Sequence, residues 1–390
     1  MMTRKVFDEV VLFARTGLNP RTNFKLGNGN NKYITIKNIH NNRLIVDENT
    51  DLVDDAALGL IHKRSQIKKG DILFCSIGRL GDMYIISDEP QGWDINESVF
   101  AFTVDTDLIR QKYFYYLFKN KDTIEYLSKN SSGSTFKSIK MNQLKKMVFE
   151  LPSLDEQDQI VEKLDLATNL IEKRQNELVR LDELIKARFV EMFGDLKLNR
   201  KGWEIISFDE MSELITDGEH ATPRRTASGI YLLSARNVLN HSIQLNDVDY
   251  IDQEEYGRIS KRIIPREGDI LISCSGSVGR CCCVPAGLKF QMVRSIALIR
   301  FKDNVLPKFA EYMITSDFVQ EQIDASKTAS SQANLFQGKI AKLKGIVPPI
   351  GMQKDFVEFV EQVDKSKVEV QKALEKTQLL FDSLMQEYFG

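Results

Sequence analysis

Histidine is scarce in this chain: among 390 residues only His40, His62, His220 and His241 occur. None stands in a His-Glu-x-x-His or Cys-x-x-Cys arrangement, which excludes zinc sites of those types. Cysteine is nearly as rare. Cys75 and Cys274 stand apart, while Cys281, Cys282 and Cys283 are contiguous. Neighbours on a strand point to opposite faces, so the triple run cannot converge on one ion. An odd count without a secretion signal predicts reduced thiols. No run of about 18 apolar residues occurs, so no membrane-spanning helix is expected. Asp8, Glu9 and Arg15 break the apolar stretch near the N-terminus, which leaves no signal-peptide core and predicts a cytoplasmic protein. The phosphate loop G-x-x-x-x-G-K-[ST] is missing. So is an Asn/Asp-Pro-Pro-aromatic motif, since the lone Pro-Pro, Pro348-Pro349, follows Val347. No Glu-x-Lys triplet suggests a nuclease site. The chain is therefore read as non-catalytic, with no metal or cofactor of its own.

Charge of one sign is missing too: 53 basic and 55 acidic residues leave a net charge of −2. What is present is ordinary globular composition, with 42% hydrophobic and 28% charged residues, which argues against a disordered or fibrous chain. The length predicts two or three domains.

The chain repeats itself. FDEVVLFARTG from Phe7 is echoed by FDEMSELITDG from Phe208, and YITIKNI from Tyr33 by YLLSARNV from Tyr231. KKGDILFCSIGRLG from Lys68 is echoed by REGDILISCSGSVG from Arg266, LPSLDEQ from Leu151 by VPPIGMQ from Val347, and EMFG from Glu191 by EYFG from Glu387. Five blocks in one order at nearly one offset define two tandem units. In each, short β-like runs such as ILFCSIG, MYIIS and VFAFTV come first. A helical pattern follows over 110–127, with Tyr113, Tyr116, Leu117, Ile124 and Leu127 as its apolar stripe; the second copy is expected over 307–323.

A long helix closes each unit. Its heptad positions are Ile160, Leu164, Ile171, Leu178, Leu181 and Ile185 in the first copy. In the second they are Phe356, Val360, Val363, Val370, Leu374, Phe381 and Leu384. Arg174, Arg188, Lys367 and Thr377 are the misfits at core positions. A 3.5-residue period held over about five heptads predicts a coiled-coil seam. With a globular domain between them, the two helices are expected to pair antiparallel. Gly194 marks the first helix stop, and DLKLNRKG after it reads as a linker. The expected fold is α+β: two tandem α/β globular domains, 1–150 and 196–346, joined by spacer helices, 151–195 and 347–390, that form an antiparallel coiled coil with pseudo-twofold symmetry. Residues 155–194 carry 6 basic and 10 acidic side chains, and residues 353–390 carry 5 and 8, so the heads are left mildly basic. Basic heads on an acidic spacer suit a polyanion at the heads and protein at the spacer.

This order of blocks resembles the specificity (S) subunits of type I restriction–modification systems over nearly the whole chain. The resemblance rests on LPSLDEQDQIVEKLD running into the long helix, LIKARFVEMFGD at its tail, the two Gly-Asp-Ile-Leu strands, and SSQANLFQGKIAKLKGIVPPIGMQ. It implies that each globular domain is a target-recognition domain reading one half of a split sequence in double-stranded DNA. The helices would dock two methyltransferase subunits, which bring S-adenosylmethionine, and a restriction subunit would bring ATP and Mg²⁺. The competing reading is a coiled-coil scaffold with two protein- or sugar-binding heads and no DNA role. Polar and basic loops supply the candidate DNA contacts. In the first domain these are Arg15, Arg21, Lys25, Lys37, Arg79, Ser134, Thr135 and Lys137. In the second they are Arg224, Arg225, Arg236, Asn237, Arg280, Ser331, Gln332 and Asn334. Lys37 and Arg236 could equally be turn residues.

Overall fold

The computed structural model describes residues 2–133, 136–326 and 334–390. Packing divides the chain into two compact units: Met1–Gln175 with Lys372–Gly390, and Asn176–Gln371. Boundaries drawn along the chain separate heads from helices, whereas packing groups each head with part of both helices.

The first unit is built on a four-stranded antiparallel sheet in the order Val11–Thr16, Val99–Val104, Ile72–Cys75, Met83–Ile85. Its central strands are apolar but for Thr103 because both faces are covered. Phe100 lies opposite Phe74 and Phe102 opposite Ile72, and these side chains share one core with Phe7, Phe114 and Phe118. Leu73, Cys75, Val99 and Ala101 point the other way, into a second core with Ile34, Ile39 and Ile95. That second face meets a three-stranded sheet in which Asn31–Ile34 runs antiparallel to Leu52–Val53 and parallel to Trp93–Ile95. Thr3–Val6 pairs with Val148–Leu151, which leads into the long helix.

The second unit repeats the topology. Its four-stranded sheet runs Ser212–Asp217, Ile296–Phe301, Ile270–Ser273, Cys281–Cys283. Ile270, Ile272, Ala297 and Ile299 face one core; Leu271, Cys282, Ile296 and Leu298 face the other. The cysteine run is thus a strand with alternating faces. All five cysteines are free thiols. Burial pushes the thiol of Cys283 up to about 11 and those of Cys75 and Cys274 up to about 12.

The helical pattern expected over 110–127 is two helices, Gln111–Leu117 and Lys121–Asn130. Asn120 separates them: its side chain accepts from the Thr123 amide at 2.7 Å and caps a new helix. The apolar stripe is therefore interrupted, and Ile124, expected in it, is 52% exposed. The second copy breaks likewise into Pro307–Ile314 and Asp317–Ser326.

The long helices span Leu154–Phe193 and Ile350–Phe389. Ser153 and Glu156 form a capping box at the first; Pro349 and Met352 hold the matching positions in the second. In the first unit Lys163 Nζ donates to Tyr388 Oη at 2.9 Å, and Arg174 Nη1 to the Ala373 carbonyl at 2.6 Å. Rising numbers on one helix meet falling numbers on the other, so the pair is antiparallel. In the second unit Lys367 meets Asp182 at 2.7 Å, and Phe356 packs on Phe189 and Phe193 at 5.4 and 5.6 Å, in the same sense.

Leu164, Ile185, Phe356, Val360 and Val363 are buried; Ile160, Ile171, Leu178, Leu181, Val370, Leu374, Phe381 and Leu384 are half-buried. The misfits are accommodated individually. Thr377 is buried and donates to the Ala373 carbonyl at 2.9 Å. Arg188 pairs with Glu191 and lies 5.6 Å from the centre of the Phe359 ring.

DLKLNRKG is not a loose linker. Leu196 is buried, and Lys201 Nζ donates to the carbonyls of Glu191 and Met192, satisfying the helix end. Trp203 Nε1 adds a bond to the Phe193 carbonyl at 2.7 Å.

Candidate nucleic-acid interface

Two chain segments build a basic concavity in the first unit. The turn after strand Ile72–Cys75 reverses at Gly78, whose φ of +69° suits glycine. This presents Arg79, exposed and without a side-chain partner among the described residues. Beside it the Ser132 and Ser138 backbones exchange hydrogen bonds of 2.9 and 2.8 Å. The Gly78 amide donates to the Lys137 carbonyl at 3.0 Å and ties the two together. His40, Arg79, Asp82, Phe136 and Lys137 line a hollow of about 440 Å³. Its one carboxylate is answered from within: Asp82 meets His40 at 3.1 Å and Lys119 at 3.2 Å. The excess charge facing solvent is therefore positive.

Lys37 adjoins this rim. It sits in the turn Ile36–Asn38, and Ile36 Cδ1 lies 3.0 Å from where a Cβ on Gly78 would stand. Asn38 holds the turn from below: its Oδ1 accepts the Thr35 amide and its Nδ2 donates to the Ile45 carbonyl, both at 2.9 Å. The cation stays exposed while the asparagine is buried. Arg21 and Lys25 lie exposed on a separate loop.

Arg15 is elsewhere. Its guanidinium donates to Asp71 at 2.7 Å, to Thr103, and to the Gln66 carbonyl at 2.8 Å. Asp71 is fully buried, so Arg15 serves as the counter-charge of the Gly-Asp-Ile-Leu strand.

In the second unit Arg225 and Arg236 converge on Asp249 at 3.0 and 3.1 Å. They outweigh the cost of its partial burial and hold its carboxyl below the ordinary range. Arg224 pairs with Glu254 at 2.9 Å. Asn237 is 1% exposed and repeats the role of Asn38, accepting the Ser234 amide and donating to the Gln244 and Asp247 carbonyls. Its amide is committed inside the fold. Arg280 follows the Gly276–Gly279 turn, and Asn334 bridges to Ser275 just before that turn. Ser134, Thr135, Ser331 and Gln332 lie outside the described residues.

Sequence reasoning missed a pair of residues that fix each head to its helix. Gln157 and Gln353 are fully buried. Gln157 Nε2 donates to the Leu108 and Pro152 carbonyls, and its Oε1 accepts the Arg110 amide at 2.9 Å. Gln353 repeats this with Asn304, Pro348 and Leu306. The signal was the glutamine shared by LPSLDEQ and VPPIGMQ. Among the described residues no cluster of His, Cys, Asp and Glu could hold a metal ion, and no helix is long and apolar enough to cross a membrane.

Two tandem copies of one topology, the first with an exposed basic rim, match a known family over most of their length. Residues 6–180 and 200–379 each fit the type I restriction modification DNA specificity domain. The chain belongs to this family: it is a non-catalytic specificity subunit, which supplies DNA target recognition to a type I restriction–modification system. The specificity subunit of the type I restriction enzyme EcoBI from Escherichia coli is 22% identical over 330 residues, 76% of this chain and 68% of that one. The MjaIX specificity subunit of Methanocaldococcus jannaschii is 34% identical over 152 residues, 38% of this chain and 34% of that one. A type I S subunit structure from M. genitalium has a TM-score of 0.56 at 15% identity and covers 100% of this chain and 96% of its own, a likeness of fold.

Proposed function

We propose that each head reads one half of a split DNA target, and that the long helices dock two methyltransferase subunits. Those subunits would bring S-adenosylmethionine, and a restriction subunit would bring ATP and Mg²⁺, so that the chain contributes recognition alone. The cytoplasm, where its DNA is found, is the proposed place of action. The observation that carries this reading is the tandem family match, one copy per unit. The basic rim at Lys37, Arg79 and Lys137 supports it, since phosphate contact needs unneutralised cations.

The test is methylation mapping. The chain is expressed with its cognate methyltransferase subunit in a host lacking adenine methylation, and the genome is read for modified bases. A split motif that appears only when this chain is present is expected. A soluble complex with no modification at any sequence would refute the reading.

A further inference from the structure

Phe136 stands at the basic rim and is 66% exposed, the most exposed phenylalanine among the described residues. Its surroundings give that exposure a direction. The backbone just after it is tied down: Ser138 exchanges bonds with Ser132, and the Lys137 carbonyl accepts the Gly78 amide of the neighbouring turn. A Cβ on Gly78 would lie 3.9 Å from the ring atom Cδ1, so the ring rests close to bare backbone. Arg79 and Lys137 flank it around the same hollow. An apolar ring thus stands between two cations beside the Gly78 turn.

Resting on the DNA reading proposed above, we infer that Phe136 is a specificity-determining residue: its ring takes the 5-methyl group of a thymine in one half-site. Among the base edges of the major groove, thymine alone presents a methyl group. Phenylalanine has no hydrogen-bonding atom, so apolar surface is all it can read. Arg79 and Lys137 are placed to meet the flanking phosphates.

The experiment has two parts. First, the chain and its Phe136→Ala and Phe136→Leu variants are expressed with the methyltransferase subunit, and the modified motif is mapped. Phe136→Ala is expected to relax one position of one half-site and leave the other half-site intact. Second, the purified complex is challenged with duplexes in which each thymine of that half-site is replaced in turn by deoxyuridine, which lacks the methyl group. The unaltered complex should lose about three- to tenfold in affinity at one position, the scale of one buried methyl. Phe136→Ala should lose nothing further there. A complex indifferent to every deoxyuridine, or a Phe136→Ala complex that still discriminates, overturns the inference while leaving the DNA reading intact. An affinity loss in Phe136→Ala unrelated to the methyl group would mean insertion between bases and overturns it too. If Phe136→Ala gives no stable complex, Phe136→Leu must show weakened discrimination at that thymine, and undiminished discrimination overturns the inference. Absence of any split motif with the unaltered chain would remove the DNA reading itself, and this inference with it.

Discussion

The buried aspartate of each Gly-Asp-Ile-Leu strand needs a cation, and the two copies supply it from different strands. In the first unit Arg15, on Val11–Thr16, reaches Asp71, while Thr103 on the next strand donates a hydroxyl to the same carboxylate at 2.6 Å. In the second, Arg300 grips Asp269 through two bonds of 2.7 Å from the strand that carries Thr103 in the first copy. The environment keeps its charge balance although the residue positions are exchanged. Arg15 was attractive as a DNA contact because one sequence shows only an arginine beside a polar loop; its carboxylate partner lies 56 residues away. Arg15→Ala leaves a buried carboxylate without its counter-charge and should cost about 3–5 kcal/mol of stability, read by chemical denaturation. Replacing Arg15 and Asp71 together by apolar residues should recover most of it. A variant that melts normally but binds DNA weakly would return Arg15 to the interface.

At the scale of elements, the long helices were legible because a heptad period is local and redundant: many positions report one seam. The strands were legible for the same reason, as short apolar runs bounded by glycine. The split of 110–127 was not, since the break depends on one cap, Asn120, against a continuous apolar pattern. Gln157 and Gln353 were hidden because burial of an amide depends on where distant carbonyls fall. Gln157→Ala strands the Leu108 and Pro152 carbonyls and the Arg110 amide. It should cost about 1–3 kcal/mol and speed hydrogen exchange at Arg110. A second polar lock lies in the other unit, where Glu311 is 1% exposed on helix Pro307–Ile314. The Lys308 ammonium is 2.9 Å away, the His241 ring 3.5 Å, and the Cys283 amide donates to its other oxygen at 2.9 Å. Burial pushes the carboxyl up, but His241 and Lys308 outweigh it and hold it below its ordinary value. A depressed folded value means that stability is present above the unfolded value of about 4.3 and is lost as pH falls through the folded one. Glu311→Gln should therefore flatten the acid limb of unfolding, with protection of the Cys283 amide as the reporter. An unchanged acid limb would assign that limb to other carboxylates.

For the whole molecule, duplication was the most informative feature of the sequence. It predicted two units of one topology, which the two sheet orders share. What one sequence conceals is how differently the copies hold their cations. In the first unit Arg21, Lys25, Lys37 and Arg79 have no side-chain partner among the described residues, whereas Arg224, Arg225 and Arg236 of the second are all paired with carboxylates. Each phosphate neutralised on B-DNA contributes about 0.9 to the slope of log affinity against log salt. Lys37→Ala or Arg79→Ala should then weaken binding across sequences and reduce that slope by about one each. In the second head Arg225 and Arg236 must act differently, because they can meet DNA only by leaving Asp249. Asp249→Asn removes the competing charge and frees Arg225, while Arg236 keeps Asp247 at 3.5 Å. Affinity should rise at low salt and the slope should steepen by about one, measured by titrating labelled duplex into the complex over a salt series. If affinity falls instead, Asp249 positions Arg225 and Arg236 for DNA and does not compete for them.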